Sequence, residues 1–222
     1  MAKKARGKDV LLPAPKGSRR QRAVFVFTEG KVTEPKYIET IKALVHVPAN
    51  VRIANERASD SNRTPADLLS LAIKLLEEKK QEDSKANLPQ PMRTQVWCIF
   101  DHDGREQNEL NSLLTRAKRH GVEVAFSNPC FEIWRLLHLK SASGTFGGVC
   151  GQVEQRLPQE FHQVPGGIKH VVSEQISGRF EIAWKRALEM NGRHPQHLAL
   201  PSRDPYTDVH RFVEQGMGVT AY

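Results

Sequence analysis

Acidic side chains stand just beyond two apolar runs. Ala23-Val-Phe-Val-Phe27 leads into Thr28-Glu29-Gly30, and Gln95-Val-Trp-Cys-Ile-Phe100 leads into Asp101-His102-Asp103-Gly104. Two aspartates one residue apart past a strand can turn to one side of a loop and offer carboxylate oxygens to a hard divalent ion, Mg2+ or Mn2+. A lone Asp-x-Asp is more often a turn or a surface pair. Glu29, at the matching end of a neighbouring element, favours a metal site built of Glu29, Asp101 and Asp103. Without a cation such carboxylates repel one another; with one, the ion bridges to a substrate phosphate.

Other groups stand near these ends. Gly30 relieves Cβ crowding beside Glu29, and a helix opening near Pro35 aims its N-terminal amides at the same rim, a suitable place for a phosphate. Glu34 is either a second acid in the site or an acid favourable to that helix's dipole. Ser127-Asn128-Pro129-Cys130-Phe131-Glu132-Ile133-Trp134 also begins beyond an apolar run. Asn128 and Glu132 are four apart and are expected on one helix face, with Trp134 in the core. Glu132 is either part of a half-exposed stripe or a carboxylate that holds metal or orients water.

The elements that must position these groups alternate. Strands are expected at 23–27, 51–53, 95–100 and 122–126, the strongest being continuous β-prone runs of the kind buried on both faces. Helices are expected from Pro35 to His46 with Thr33 as cap, from Thr64-Pro65 through Leu76, over 106–120 with Gly121 as C-terminal cap, and over 130–139. Residues 77–91 read as a charged surface connection. This order predicts an α/β fold with a mostly parallel sheet flanked by helices, whose ligands bind beyond the carboxyl ends of the strands. From Ser141 onward glycines mark loops, a helix is expected over 174–190, and another near 207–215. Residues 141–222 thus form a C-terminal helical elaboration on a core at 23–140.

The chain has 222 residues and a net charge of +8. Residues 1–22 hold eight basic side chains against Asp9 alone, so +7 of that charge lies in a basic arm too poor in apolar residues to fold by itself. The arm binds phosphate or simply aids solubility. No apolar run approaches the roughly 18 residues of a membrane span, and no signal-peptide core is present. Cys98, Cys130 and Cys150 are odd in number and lack a CxxC pair, which indicates neither a disulfide framework nor a cysteine zinc site, and suits a cytoplasmic protein.

Taken together, Thr28-Glu29-Gly30, Thr33-Glu34-Pro35 with Tyr37, Phe100-Asp101-His102-Asp103 and Ser127-Asn-Pro-Cys-Phe-Glu-Ile-Trp134 with Leu136-Leu137-His138 resemble the RloB-like family of prokaryotic defence proteins. The likeness runs from Val24 to His138, most specifically in the SNPCFEIW string, and more weakly at Pro205-Tyr206-Thr207-Asp208-Val209. The resemblance implies a Toprim-like fold, with Glu29 as the glutamate after the first core strand and Asp101 and Asp103 as the DxD pair, together holding Mg2+ for phosphodiester chemistry. It further implies action on nucleic acid, DNA or RNA, in anti-phage defence of abortive-infection type, and an AAA-type ATPase as partner or regulator. The family commonly carries a lysine after this helix, for which Lys169 in Gly166-Gly-Ile-Lys169-His170 is the nearest candidate as a phosphate contact. The basic arm lies outside the family pattern.

Other readings remain. Ile99-Phe-Asp101-His-Asp103-Gly104 also resembles the first motif of haloacid-dehalogenase phosphatases, but Arg105 replaces the expected Thr or Val, and no downstream GDxxxD or DD occurs. A non-catalytic nucleic-acid-binding or regulatory subunit would use the arm and leave the acids idle. His194 and His197 lack the two further ligands a zinc site needs. Cys130 at a helix start could be reactive, though burial beside Phe131 suits it better.

Overall fold

Residues of alternating direction along the central strands go to two separate cores, as the period of two in a strand requires. A computed structural model of the chain describes residues 21–59 and 63–222. Residues 1–20 of the expected basic arm lie outside these. Arg22, counted with the arm by sequence, donates to the backbone carbonyls of Gln215 and Gly216.

The chain runs through β1 (Ala23–Thr28), α1 (Thr33–Leu44), β2 (Asn50–Ile53), α2 (Pro65–Lys85), β3 (Gln95–Asp101), α3 (Gln107–His120) and β4 (Glu123–Asn128). Then follow α4 (Glu132–Leu137), α5 (Cys150–Glu154), α6 (Gln159–His162), α7 (Ser173–Ile176), α8 (Phe180–Gly192), β5 (Tyr206–Thr207) and α9 (Val209–Arg211), which continues as a π-helical turn, Phe212–Met217. The sheet order is β2-β1-β3-β4-β5, with only β5 antiparallel. Val24, Val26, Trp97, Ile99 and Ala125 pack beneath α1 and the C-terminal elements. Phe27, Val96, Cys98, Phe100 and Phe126 pack beneath α2 and α3. Helices therefore cover both faces, and the strand order reverses between β1 and β3, where open α/β sheets leave a crevice. Among the described residues no helix is long and apolar enough to cross a membrane.

Several boundaries differ from the sequence reading for physical reasons. α2 keeps its helix through the charged stretch to Lys85, because Glu, Lys and Gln are good helix formers. Asp83 anchors its last turn by accepting from Thr94 N–H at 2.7 Å and Thr94 Oγ1 at 3.1 Å. Thr33 lies inside the first turn of α1 and caps nothing. The helix expected over 130–139 begins only at Glu132. Asn128 is the last residue of β4, since the proline that follows disfavours a helical backbone before it, so it shares no helix face with Glu132. The helix expected over 174–190 breaks at Ser177-Gly178, where Gly178 takes φ of +71°, and resumes as α8. Thr207, expected to begin the last helix, instead pairs with Ser127, as Tyr206 does with Asn128, to form β5.

Behind the central strands lies a closed polar network. Trp134 Nε1 donates to Tyr37 Oη at 2.6 Å, Tyr37 and Tyr222 hydroxyls meet at 2.5 Å, and Tyr222 Oη lies 2.7 Å from His138 Nε2. His138 Nδ1 is 2.9 Å from Trp134 O, a carbonyl that only accepts, so Nδ1 carries the proton and Nε2 accepts from Tyr222. Every link then has one donor and one acceptor. Burial pushes the His138 pKa down to about 3 and keeps the ring neutral.

Candidate metal centre

Because β1 and β3 are parallel neighbours with Thr28 opposite Ile99, their carboxyl ends open on one rim. Glu29 follows β1 directly, and its N–H donates to Ile99 O at 3.0 Å, fixing it beside β3. Its Oε2 accepts Asp101 N–H at 3.1 Å and its Oε1 accepts Arg105 Nη2 at 2.5 Å. Burial raises the Glu29 pKa against the lowering pull of Arg105. The strand end itself is clamped. Asn55 accepts from Thr28 N–H at 3.0 Å and donates to Thr28 O at 2.8 Å, while buried Arg63 donates to the carbonyls of Thr28 at 3.0 Å and Gly30 at 3.3 Å.

Gly30 serves Glu34 rather than Glu29. A Cβ at Gly30 would lie 2.1 Å from Glu34 Oε2, and Gly30 N–H donates to Glu34 Oε1 at 3.0 Å. Glu34 is 3% exposed, and its pKa is pushed up to about 7 by burial, with the Glu132 and Glu29 charges adding to the rise. Asp101 is pushed well above the ordinary carboxyl range by burial first, then by Glu34, Glu132 and Glu29, against a hydrogen bond from Phe131 N–H. Its Oδ1 is buried and has no hydrogen-bond partner. Asp103 is exposed at φ of +43°, a left-handed conformation that aspartate tolerates, and its N–H donates to Pro129 O at 3.1 Å.

On the opposite wall, Glu132 is 2% exposed and accepts from Thr33 Oγ1 at 3.4 Å and Lys169 Nζ at 3.1 Å. Lys169 also pairs with Glu154 at 2.7 Å. Burial works against the Lys169 charge, but Glu132 and Glu154 outweigh it and hold its pKa above the usual value. Arg135 fixes this lysine by donating to the carbonyls on either side of it, Ile168 at 2.5 Å and His170 at 3.1 Å.

Glu29, Glu34, Asp101, Asp103, Glu132, Glu154 and Lys169 line one cavity of about 360 Å³. Asn128 is absent from its lining, and its amide donates to Pro201 O at 3.0 Å. The acids at the strand ends do not have their oxygens gathered to ligating distance. Among the described residues, one set of three metal-ligating side chains has donor atoms all within 4.8 Å of one another: Cys130, Glu132 and Cys150. Arg105 is the reason at Glu29, whose two oxygens are already taken. The donors still suit a hard cation by type, and the orphaned Asp101 Oδ1 leaves a buried oxygen for one. To ligate a cation, Glu29 would have to exchange Arg105 for it.

Sequence reasoning missed Arg105, Glu154 and the hydroxyl of Thr33 as parts of this site. Arg105 had a visible signal, a cation directly after the DxDG turn. Glu154 had none, lying in a glycine-rich stretch without periodicity. Cys130 and Cys150, expected to be unpaired, form a disulfide with Cα atoms 5.5 Å apart. The pairing is invisible in the spacing because it depends on the loop from α4 folding back to set α5 against the cavity.

Comparison with curated proteins and with solved structures gives no match. The family model described as RloB-like protein matches residues 24–215, which span the sheet, the acidic rim, Lys169 and β5. The chain belongs to the RloB-like protein family.

Proposed function

We propose that the chain is a Toprim-like, divalent-metal-dependent nuclease that hydrolyses phosphodiester bonds of DNA or RNA in prokaryotic anti-phage defence. The observation that carries this reading is the buried, unpartnered Asp101 Oδ1 beside Glu29, at the strand ends where the sheet order reverses. Glu29, Asp101 and Asp103 would hold Mg2+ or Mn2+, which would supply positive charge to stabilise phosphodiester hydrolysis. Within the chain, Arg105 on leaving Glu29 and Lys169 on the far wall offer cations to phosphate oxygens. Glu132, buried and hydrogen-bonded to Thr33, has the position to orient an attacking water. Glu34, with its pKa near 7, limits the negative charge facing the cavity when no cation is bound. Asn128 has no part in this scheme. The reading includes an AAA-type ATPase as partner or regulator.

A second reading, a non-catalytic nucleic-acid-binding or regulatory subunit, is favoured by the Arg105–Glu29 ion pair, which fills the carboxylate that metal would need. One experiment separates the two. Purified full-length protein is offered DNA and RNA panels with Mg2+ or Mn2+, beside EDTA and Asp101→Ala controls. Cleavage lost in both controls supports the nuclease; binding without cleavage supports the subunit; cleavage undiminished in EDTA refutes the metal site.

A further inference from the structure

We propose that the Cys130–Cys150 disulfide is a reversible redox strap on the wall of the acidic cavity, opened by a dithiol reductant. It joins two short segments that carry the cavity's second group of charges. Cys130 lies in the turn between β4 and α4, two residues before Glu132, and Cys150 opens α5, four residues before Glu154. Lys169 bridges the same two segments by pairing with both glutamates, at 3.1 Å and 2.7 Å. The strap and the lysine therefore hold one joint. α5 has five residues, too few to persist without outside support. It follows a glycine-rich loop in which Gly144, Gly147 and Gly148 all take positive φ.

The two sulfurs differ in access. Cys130 is 3% exposed, whereas Cys150 is only part-buried, and both line the open cavity. A reductant thiolate attacks Cys150 Sγ, forming a mixed disulfide as the bond to Cys130 breaks; Cys130 leaves as a thiolate and takes up a proton. The reductant's second thiol then attacks its own sulfur in the mixed disulfide and releases Cys150 as a thiol. Two electrons pass to the protein and the dithiol becomes a disulfide.

Reduction alters the cavity as well as the tether. In the disulfide, Cys150 has no S–H, yet its Sγ lies 3.4 Å from Glu132 Oε2 and 3.9 Å from Glu154 Oε1. Opening the bond places a new donor beside both carboxylates that Lys169 bridges. The redox state thereby sets what holds Glu132. This inference does not depend on nuclease activity, because its readouts are thiol count and backbone protection.

The test compares folded protein treated with diamide or with dithiothreitol, using thiol alkylation with mass spectrometry and amide hydrogen exchange. Diamide-treated protein is expected to protect Cys130 and Cys150, and dithiothreitol to expose both without denaturant. Exchange over residues 145–160 should then rise roughly a hundredfold, the scale of losing a cross-link over such a loop, while β1 and β3 keep their protection. Cys150→Ser should exchange like the reduced protein, its β1 and β3 protection reporting an intact fold. Alkylation of both cysteines after diamide, reduction only in denaturant, or equal exchange in the two states would overturn the proposal.

Discussion

Two buried polar clusters lie on either side of α4, and they are built on opposite rules. In the Tyr37–Trp134–His138–Tyr222 network every donor meets an acceptor and the histidine is neutral. At the rim of β1 and β3, burial and the charges of Glu132 and Glu29 raise the proton affinity of Asp101 and Glu34, and Asp101 Oδ1 has no partner. A satisfied network rigidifies a core, whereas buried like charges oppose folding unless something binds them. The first cluster is thus an element of stability. The second withholds stability, and on the proposed reading a cation would restore it.

Mutations should separate them. The largest effect is expected at Trp134→Ala, which empties a fully buried site and removes the indole donor to the Tyr37 hydroxyl. A loss of about 3–5 kcal/mol in denaturant unfolding is expected. Next, Tyr222→Phe leaves Tyr37 without an acceptor and His138 without a donor, costing about 1–3 kcal/mol in the same assay. If either variant unfolds like wild type, the network is not the support described here.

The pH dependence sharpens the contrast. His138 has a folded pKa of about 3 against an ordinary 6.5, so as pH falls the unfolded chain takes up the proton first. Its contribution to stability is complete above pH 6.5 and is lost progressively towards pH 3, at about 1.4 kcal/mol per pH unit. His138→Gln should lower the acid slope of unfolding free energy by about one proton. A slope equal to wild type would mean that the ring is already charged in the fold. The smallest effect is expected at Arg105→Ala, which frees Glu29 from a part-exposed ion pair worth about 1 kcal/mol. Mn2+ affinity in a calorimetric titration should strengthen by roughly fivefold, and unchanged or weaker binding would show that Arg105 does not compete for the site.

Much of the frame was legible in the residues. Ala23–Phe27 and Gln95–Phe100 read as buried strands because unbroken β-prone runs fit a sheet covered on both faces, and Glu29 and Asp101 followed from where those runs stop. What failed depended on contacts distant in sequence. α2 extends to Lys85 because Asp83 finds Thr94, and Asn128 faces Pro201 because β5 returns beside it, neither of which local periodicity records. Arg105 and Glu154 join the site through partners 76 and 15 positions away, Glu29 and Lys169, rather than through any motif. Lys169 was reached only through the family resemblance, because its Gly-Gly-Ile-Lys setting carries no chemical signal until Glu132 and Glu154 close around it.

Thermal unfolding with and without Mn2+, on wild type and Asp101→Asn, tests most directly whether the acidic rim is a cation site. Wild type should gain about 2.7 kcal/mol at one hundred times the dissociation constant. Asp101→Asn should melt at or above wild type without the ion, since it relieves repulsion, and should lose the gain with it. A less stable Asp101→Asn that responds to Mn2+ as wild type does would contradict the account, and would make Asp101 a structural residue.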